Sequence, residues 1–215
     1  MMAGRVILVE GLDLAGKSTL VRNLQAELTR RGVPVRVSRN ALCPDNPIAA
    51  LADQVRRDPQ AGLIETGALF LAAHLWDARH FTPPPDGTVH LQDSCWLRTL
   101  AYHSWKDTPA IAEQLARAAR YFPRFDFTVF LTAKSEERRH RLSQREREQP
   151  GSNDANDHLV QSDPQGHSRL GRMLWQMTHL YTKATSVDTT GIPKEGLVSL
   201  VVEMLLEDRR GGETP

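Results

Sequence analysis

Gly11-Leu12-Asp13-Leu14-Ala15-Gly16-Lys17-Ser18 has the residue types and spacing of a phosphate-binding loop. In the pattern G-x-x-x-x-G-K-S the glycines let successive backbone N–H groups converge on phosphate oxygens, and the helix that follows points its positive end there. Lys17 would reach the β and γ phosphates of a nucleoside triphosphate, and the Ser18 hydroxyl would bind Mg²⁺. A second candidate is Asp93, which ends the apolar-rich stretch Val89-His90-Leu91-Gln92. An acidic residue at the carboxyl end of a strand is where such a site holds Mg²⁺, directly or through water, although a solvated turn or a helix N-cap would use the same residue type. A third is the run from Ser135 to about Glu148, with Arg138, Arg139, Arg141, Arg145 and Arg147. It reads either as a solvated helix with surface ion pairs or as a lid that brings arginine charge to a transferring phosphoryl group. The polar segment Gln149 to Asp157, suited to a mobile loop, favours a lid over about 138–157.

These residues need a frame, and the hydropathy pattern indicates one. Apolar or alternating stretches near 5–10, 34–38, 88–92, 127–132 and 185–188 read as strands, with helical patterns between them. Helices are expected at Lys17 to about Arg31, around Ile48, Leu51 and Val55, and from Ala61 to Arg79 with Leu63, Phe70 and Ala73 on one side. More are expected at 95–106, 110–120, Ser135–Glu148 with Ser135 as a possible cap, and His167–Lys183 with Leu170, Leu174, Met177 and Leu180 on one side. A final helix carries Leu197, Leu200, Val201, Met204 and Leu205, and the tail from Arg209 should fray. Alternation of this kind predicts an α/β fold, a doubly wound five-stranded parallel sheet flanked by helices, in a single domain spanning 1–215. Ligands would sit at the carboxyl ends of the strands, where Gly11–Ser18, Arg39 and Asp93 all fall.

Composition narrows the class. The 27 Lys+Arg and 26 Asp+Glu leave a net charge of +1, which gives no global case for nucleic-acid or membrane binding. No apolar stretch approaches the ~20 residues of a membrane span. Cys43 and Cys95 form neither a metal spacing nor a disulfide framework, so a reducing cytoplasm is the expected compartment.

Taken together, the motifs resemble those of the thymidylate kinases, within the larger P-loop nucleoside and nucleotide kinase group. Glu10-Gly11-Leu12-Asp13-Leu14-Ala15-Gly16-Lys17-Ser18-Thr19 is similar to that family's E-G-x-D-G-A-G-K-[ST]-T. Leu69-Phe70-Leu71-Ala72-Ala73-His74 is similar to L-F-A-A-D-R, and Asp93 to His103 lies over D-R-[YF]-x-x-S-[ST]-x-A-Y-Q. The resemblance implies an ATP donor with Mg²⁺ at Ser18 and Asp93, Asp13 beside the acceptor's sugar, and Phe70 on its base. It also implies Tyr102 near the sugar, Arg39 on the acceptor phosphate, and Thr190 bordering the adenine. Leu14, where some members have arginine, implies that lid arginines carry the catalytic charge, with Arg141 and Arg145 at the matching R-x-x-x-R spacing. Kinases of this resemblance are often homodimers.

Four departures cluster on the acceptor side: Ser94 replaces an arginine, His74 a base-reading arginine, His103 a glutamine and Asn40 a glutamate. A guanidinium is a bidentate fork that serine cannot imitate and imidazole imitates poorly. Arg98, one helical turn beyond Ser94, could restore some of that charge or lie at the surface. The expected activity is phosphoryl transfer from ATP to a nucleoside monophosphate, with thymidylate first. The alternatives are a specialised kinase with another hydroxyl or phosphate acceptor, and a nucleotide-binding or hydrolysing protein that transfers to no acceptor.

Overall fold

The computed structural model describes residues 4–58, 60–150 and 155–211. In chain order the elements are β1 (Arg5–Gly11), α1 (Lys17–Arg30), β2 (Val35–Arg39), α2 (Pro47–Arg56), α3 (Leu63–His80), β3 (Val89–Asp93), α4 (Trp96–Trp105) and α5 (Pro109–Ala118). They continue with β4 (Phe127–Thr132), α6 (Ser135–Glu148), α7 (Ala155–Ser162), α8 (Pro164–Tyr181), β5 (Ala184–Asp188) and α9 (Lys194–Gly211). The strands form one sheet in the order β2-β3-β1-β4-β5, and every pairing is parallel.

Each parallel pair needs a helical crossover, and the helices cover both faces of the sheet, so β1 is buried from both sides and reads as a continuous apolar run. Its side chains alternate between two cores. Ile7 and Val9 pack with Leu20, Leu24, Val129 and Val201 beneath α1 and α9, while Val6 and Leu8 pack with Leu97, Leu100, Leu115 and Leu174 beneath α4, α5 and α8. Leu24 is fully buried, and truncation to alanine there would cost about 2–5 kcal/mol. The expected doubly wound five-stranded sheet is therefore present.

Local chemistry sets the boundaries. α1 stops where Gly32 takes φ 76° and the Val33 N–H reaches back to Leu28 O at 3.0 Å. α2 starts at Pro47, with the Asn46 side chain accepting from the N–H groups of Ile48 and Ala49. Register then places the chemistry: Val9 and Arg39 both lie level with Asp93, and Gly11 lies level with Leu131. The carboxyl ends of four strands thus open onto one edge of the sheet.

Several expectations need correction. Residues 155–157, read as mobile loop, begin helix α7, and residues 151–154 of that loop lie outside the described residues. Ser135 is the first helical residue of α6 rather than its cap; its hydroxyl accepts from Arg138 Nη2 instead. Leu180 is 73 % exposed because α8 outruns the core, and Leu63 and Leu200 are exposed as well. α9 continues to Gly211, past the point where fraying was expected, and residues 212–215 lie outside the described residues. No helix among the described residues is long and apolar enough to cross a membrane.

Candidate active site

Three residues of the phosphate loop adopt left-handed or related backbone angles: Gly11 at φ 142°, Leu14 at φ 66° and Gly16 at φ 101°. Gly11 has no substitute, since a Cβ there would sit 2.3 Å from Leu131 O on the adjoining strand. Gly16 differs, because a Cβ would meet only Arg141 Nη1, at 3.7 Å. Its left-handed angle opens the loop directly before the N-terminus of α1, where unpaired amides converge.

Lys17 is buried, and its Nζ donates to the carbonyls of Gly11 at 2.9 Å and Leu12 at 3.0 Å. Burial pushes its pKa down and Arg98 adds to that, while Asp13, Glu10 and Asp93 pull it back. The ammonium is thus held at the loop by bonds it can exchange for phosphate oxygens. Next to it, the Ser18 hydroxyl donates to Asp93 Oδ2 at 2.7 Å, joining residues 75 positions apart. A hydroxyl and a carboxylate oxygen side by side are the donor set of a hard, oxygen-seeking cation such as Mg²⁺, so these residues fit the metal the sequence implies.

Behind the loop lies a carboxylate that had no role among the expected site residues. Glu10 is fully buried and accepts from the Gly11 N–H, the Ser94 hydroxyl and the Cys95 N–H. Burial raises its pKa, and Arg98 and Lys17 partly offset this. Ser94, at φ 64°, is thus spent on Glu10 and presents no cation. The guanidinium in this corner is that of Arg98, which donates to Asp13 Oδ1 at 2.9 Å and Gly11 O at 3.0 Å, with Nε 3.9 Å from Glu10. Burial alone would raise the Asp13 pKa, but Arg98 and Lys17 outweigh it and hold the carboxyl well below the usual range.

The arginines of α6 take separate places. Arg141 Nη1 donates to Leu14 O at 3.0 Å and to Thr189 Oγ1 at 3.1 Å, Nη2 donates to Thr189 O at 3.0 Å, and Nε donates to Glu137. It spans the phosphate loop and the segment after β5. There Thr190 Oγ1 accepts from the Lys134 N–H and donates to Asp188. Arg145 pairs instead with Asp157 of α7, 3.2 Å away.

On the other side of Asp93, Arg39, Phe70 and His74 line one groove of about 290 Å³, together with Asn40, Cys43, Asn46 and Asp53. His74 stacks beside Phe70 at 6.5 Å and its Nε2 lies 3.1 Å from Thr99 Oγ1; burial lowers its pKa to about 4, so the ring is neutral. Tyr102 is not among the lining residues; it packs against Trp105 and His103. The groove's shape depends on Asp77, which sequence reasoning missed. This buried carboxylate accepts from Leu42 N at 2.7 Å, Cys43 N at 3.1 Å and Asn46 Nδ2 at 2.9 Å, fixing the 40–46 loop to α3. An aspartate one turn beyond Ala73 on the face packed inward was the available signal.

No protein-family model matches this sequence, and no curated protein matches it. Among solved structures, the fold is similar to that of thymidylate kinase from Candida albicans, an enzyme described as having broad substrate specificity and a novel structural element. The TM-score is 0.69 at 20 % identity, over 96 % of this chain and 93 % of that one. The five-stranded parallel sheet and its flanking helices thus match the fold of that thymidylate kinase.

Proposed function

We propose that the chain is a single-domain Mg²⁺- and ATP-dependent phosphotransferase acting on a nucleoside monophosphate, with thymidylate as the first acceptor to test. The observation that carries this reading is the Ser18–Asp93 hydrogen bond beside a Lys17 ammonium held by loop carbonyls. Transfer in such a site is in-line and depends on positioning and electrostatics rather than on a covalent enzyme intermediate. Gly11 to Thr19 cradle the donor's phosphates through backbone N–H groups and Lys17, and Arg141 with Thr190 holds the nucleotide end. Ser18 and Asp93 would hold Mg²⁺, which would supply charge neutralisation at the donor phosphates. Asp13 accepts a hydrogen bond from the acceptor, whose position is set by Arg39, Phe70, His74 and Arg98. The segment 138–157, with Arg141 and Arg145, excludes water as a lid.

A different acceptor is favoured by one observation: Ser94 is spent on Glu10 and His74 is neutral, so Arg39 is the cation lining the groove. Coupled ADP release over nucleoside monophosphates, nucleosides and phosphorylated metabolites separates the two readings. Thymidylate should raise ADP release above buffer; another acceptor doing so in its place would establish the second reading. Lys17→Ala should lose turnover by about 10³-fold or more with the fold retained, and wild-type turnover in that variant would sink both.

A further inference from the structure

Arg138, on the first turn of α6, is 5 % exposed and touches no carboxylate among the described residues. Its Nη1 donates to His167 Nδ1 at 2.9 Å and its Nη2 donates to Ser135 Oγ at 3.3 Å, while Nε has no partner. His167, on α8, is 1 % exposed. Because its Nδ1 accepts from arginine, the neutral ring carries its hydrogen on Nε2, and that atom is also buried without a partner. Burial, with the neighbouring Arg138 charge next, pushes His167 down to about 4, which keeps the ring in this acceptor state. The pair is therefore one full positive charge with two unfilled N–H donors.

Leaving a buried guanidinium without an anion is costly, and each unfilled donor adds to that cost. Asp13 is near enough for its charge to act on both side chains, but its hydrogen bond goes to Arg98. Arg141 and Arg145 already have carboxylate partners in Glu137 and Asp157. α6 and α7 rest on the loop through a small apolar cluster of Leu14, Leu142 and Val160, separate from both main cores. A contact of that size can part to admit a ligand.

We propose that Arg138, positioned by His167, binds an anionic oxygen of the acceptor seated beside Asp13. This rests on the kinase reading for the existence of an acceptor, but the pair's affinity for an oxyanion can be measured without turnover. In ¹⁵N-labelled wild-type protein, the Arg138 Nε–H signal is identified by its loss in Arg138→Lys and followed during separate titrations with inorganic phosphate, thymidylate, thymidine and a non-hydrolysable ATP analogue with Mg²⁺. Inorganic phosphate should shift it saturably, and thymidine and the ATP analogue should not. If phosphate and thymidylate both leave it in place, the pair is scaffold and the proposal is overturned. If the ATP analogue alone moves it, the anion belongs to the donor and the acceptor assignment is overturned. A shift with phosphate but none with thymidylate supports the pair and removes thymidylate as acceptor. In kinetics, Arg138→Met should lower acceptor kcat/KM by about 30-fold with the KM for ATP within about twofold. Equal losses on both substrates would mark a structural role.

Discussion

Arg98 Nη1 donates to Asp13 Oδ1 at 2.9 Å, so the first turn of α4 is joined to the phosphate loop by an ion pair. Arg98, on α4, lies one turn beyond Ser94. Arg98 holds the Asp13 carboxyl below the usual range, so the ionised form is favoured in the fold, and the stability this brings is present above the ordinary carboxylate pKa and lost as pH falls through the lowered value. In Arg98→Met burial would dominate and the Asp13 pKa would rise. The acid limb of kcat/KM should then move to higher pH. A limb that stays where it is would remove Asp13 from acceptor binding.

Ser18 is exposed and Asp93 buried, so the hydroxyl contributes little to the fold and much to the metal position. Ser18→Ala should raise the Mg²⁺ concentration needed for half-maximal activity by about tenfold or more, with thermal stability nearly unchanged; Ser18→Thr should restore it. Unaltered Mg²⁺ titration curves in the alanine variant would contradict the assignment.

His74 shows the same direction of linkage with the neutral form favoured instead of the charged one. Its pKa falls from 6.5 to about 4 on burial, so its stability contribution is complete above 6.5 and drains as pH drops toward 4. By pH 5 about 2 kcal/mol should be gone. Urea unfolding near neutrality and at about pH 5 reads this directly, and His74→Phe should flatten the pH dependence. His167 titrates over the same window, so the variant removes only one share of it.

The two loop glycines should fail differently. Gly11→Ala drives a Cβ into the Leu131 carbonyl and should destabilise the protein by several kcal/mol, visible in thermal melting. Gly16→Ala meets no backbone but must hold φ 101°, so it should cost less stability than Gly11→Ala, through backbone strain alone, while losing ATP affinity. If both variants melt alike and bind ATP alike, the distinction is wrong.

The sheet was readable because β1 and β4 bury both faces and so appear as apolar runs, and because the loop motif marks one strand end. Helix α7 was not readable. Its first residues, Ala155-Asn156-Asp157, continue a string of turn formers, and what holds the helix is the tertiary contact of Val160 with Leu142 and Leu14. Leu180 misled because periodicity cannot say where the core ends. Arg98, Phe70, His74 and Arg39 were visible as candidates, but the Glu10–Ser94 bond and the Arg138–His167 pair join residues 84 and 29 positions apart, distances no local pattern encodes.

The anchoring of the 40–46 loop by Asp77 has a consequence for protein design. The groove's frame is a buried carboxylate and three N–H donors, from Leu42, Cys43 and Asn46. Cys43 and Asn46 belong to both frame and lining, whereas Arg39, Ala49, Ala50, Phe70 and His74 line the groove without bonding to Asp77. Acceptor preference can therefore be rewritten at the lining while the frame and the phosphate loop stay as they are, and libraries confined to those five positions explore chemistry without gambling the fold.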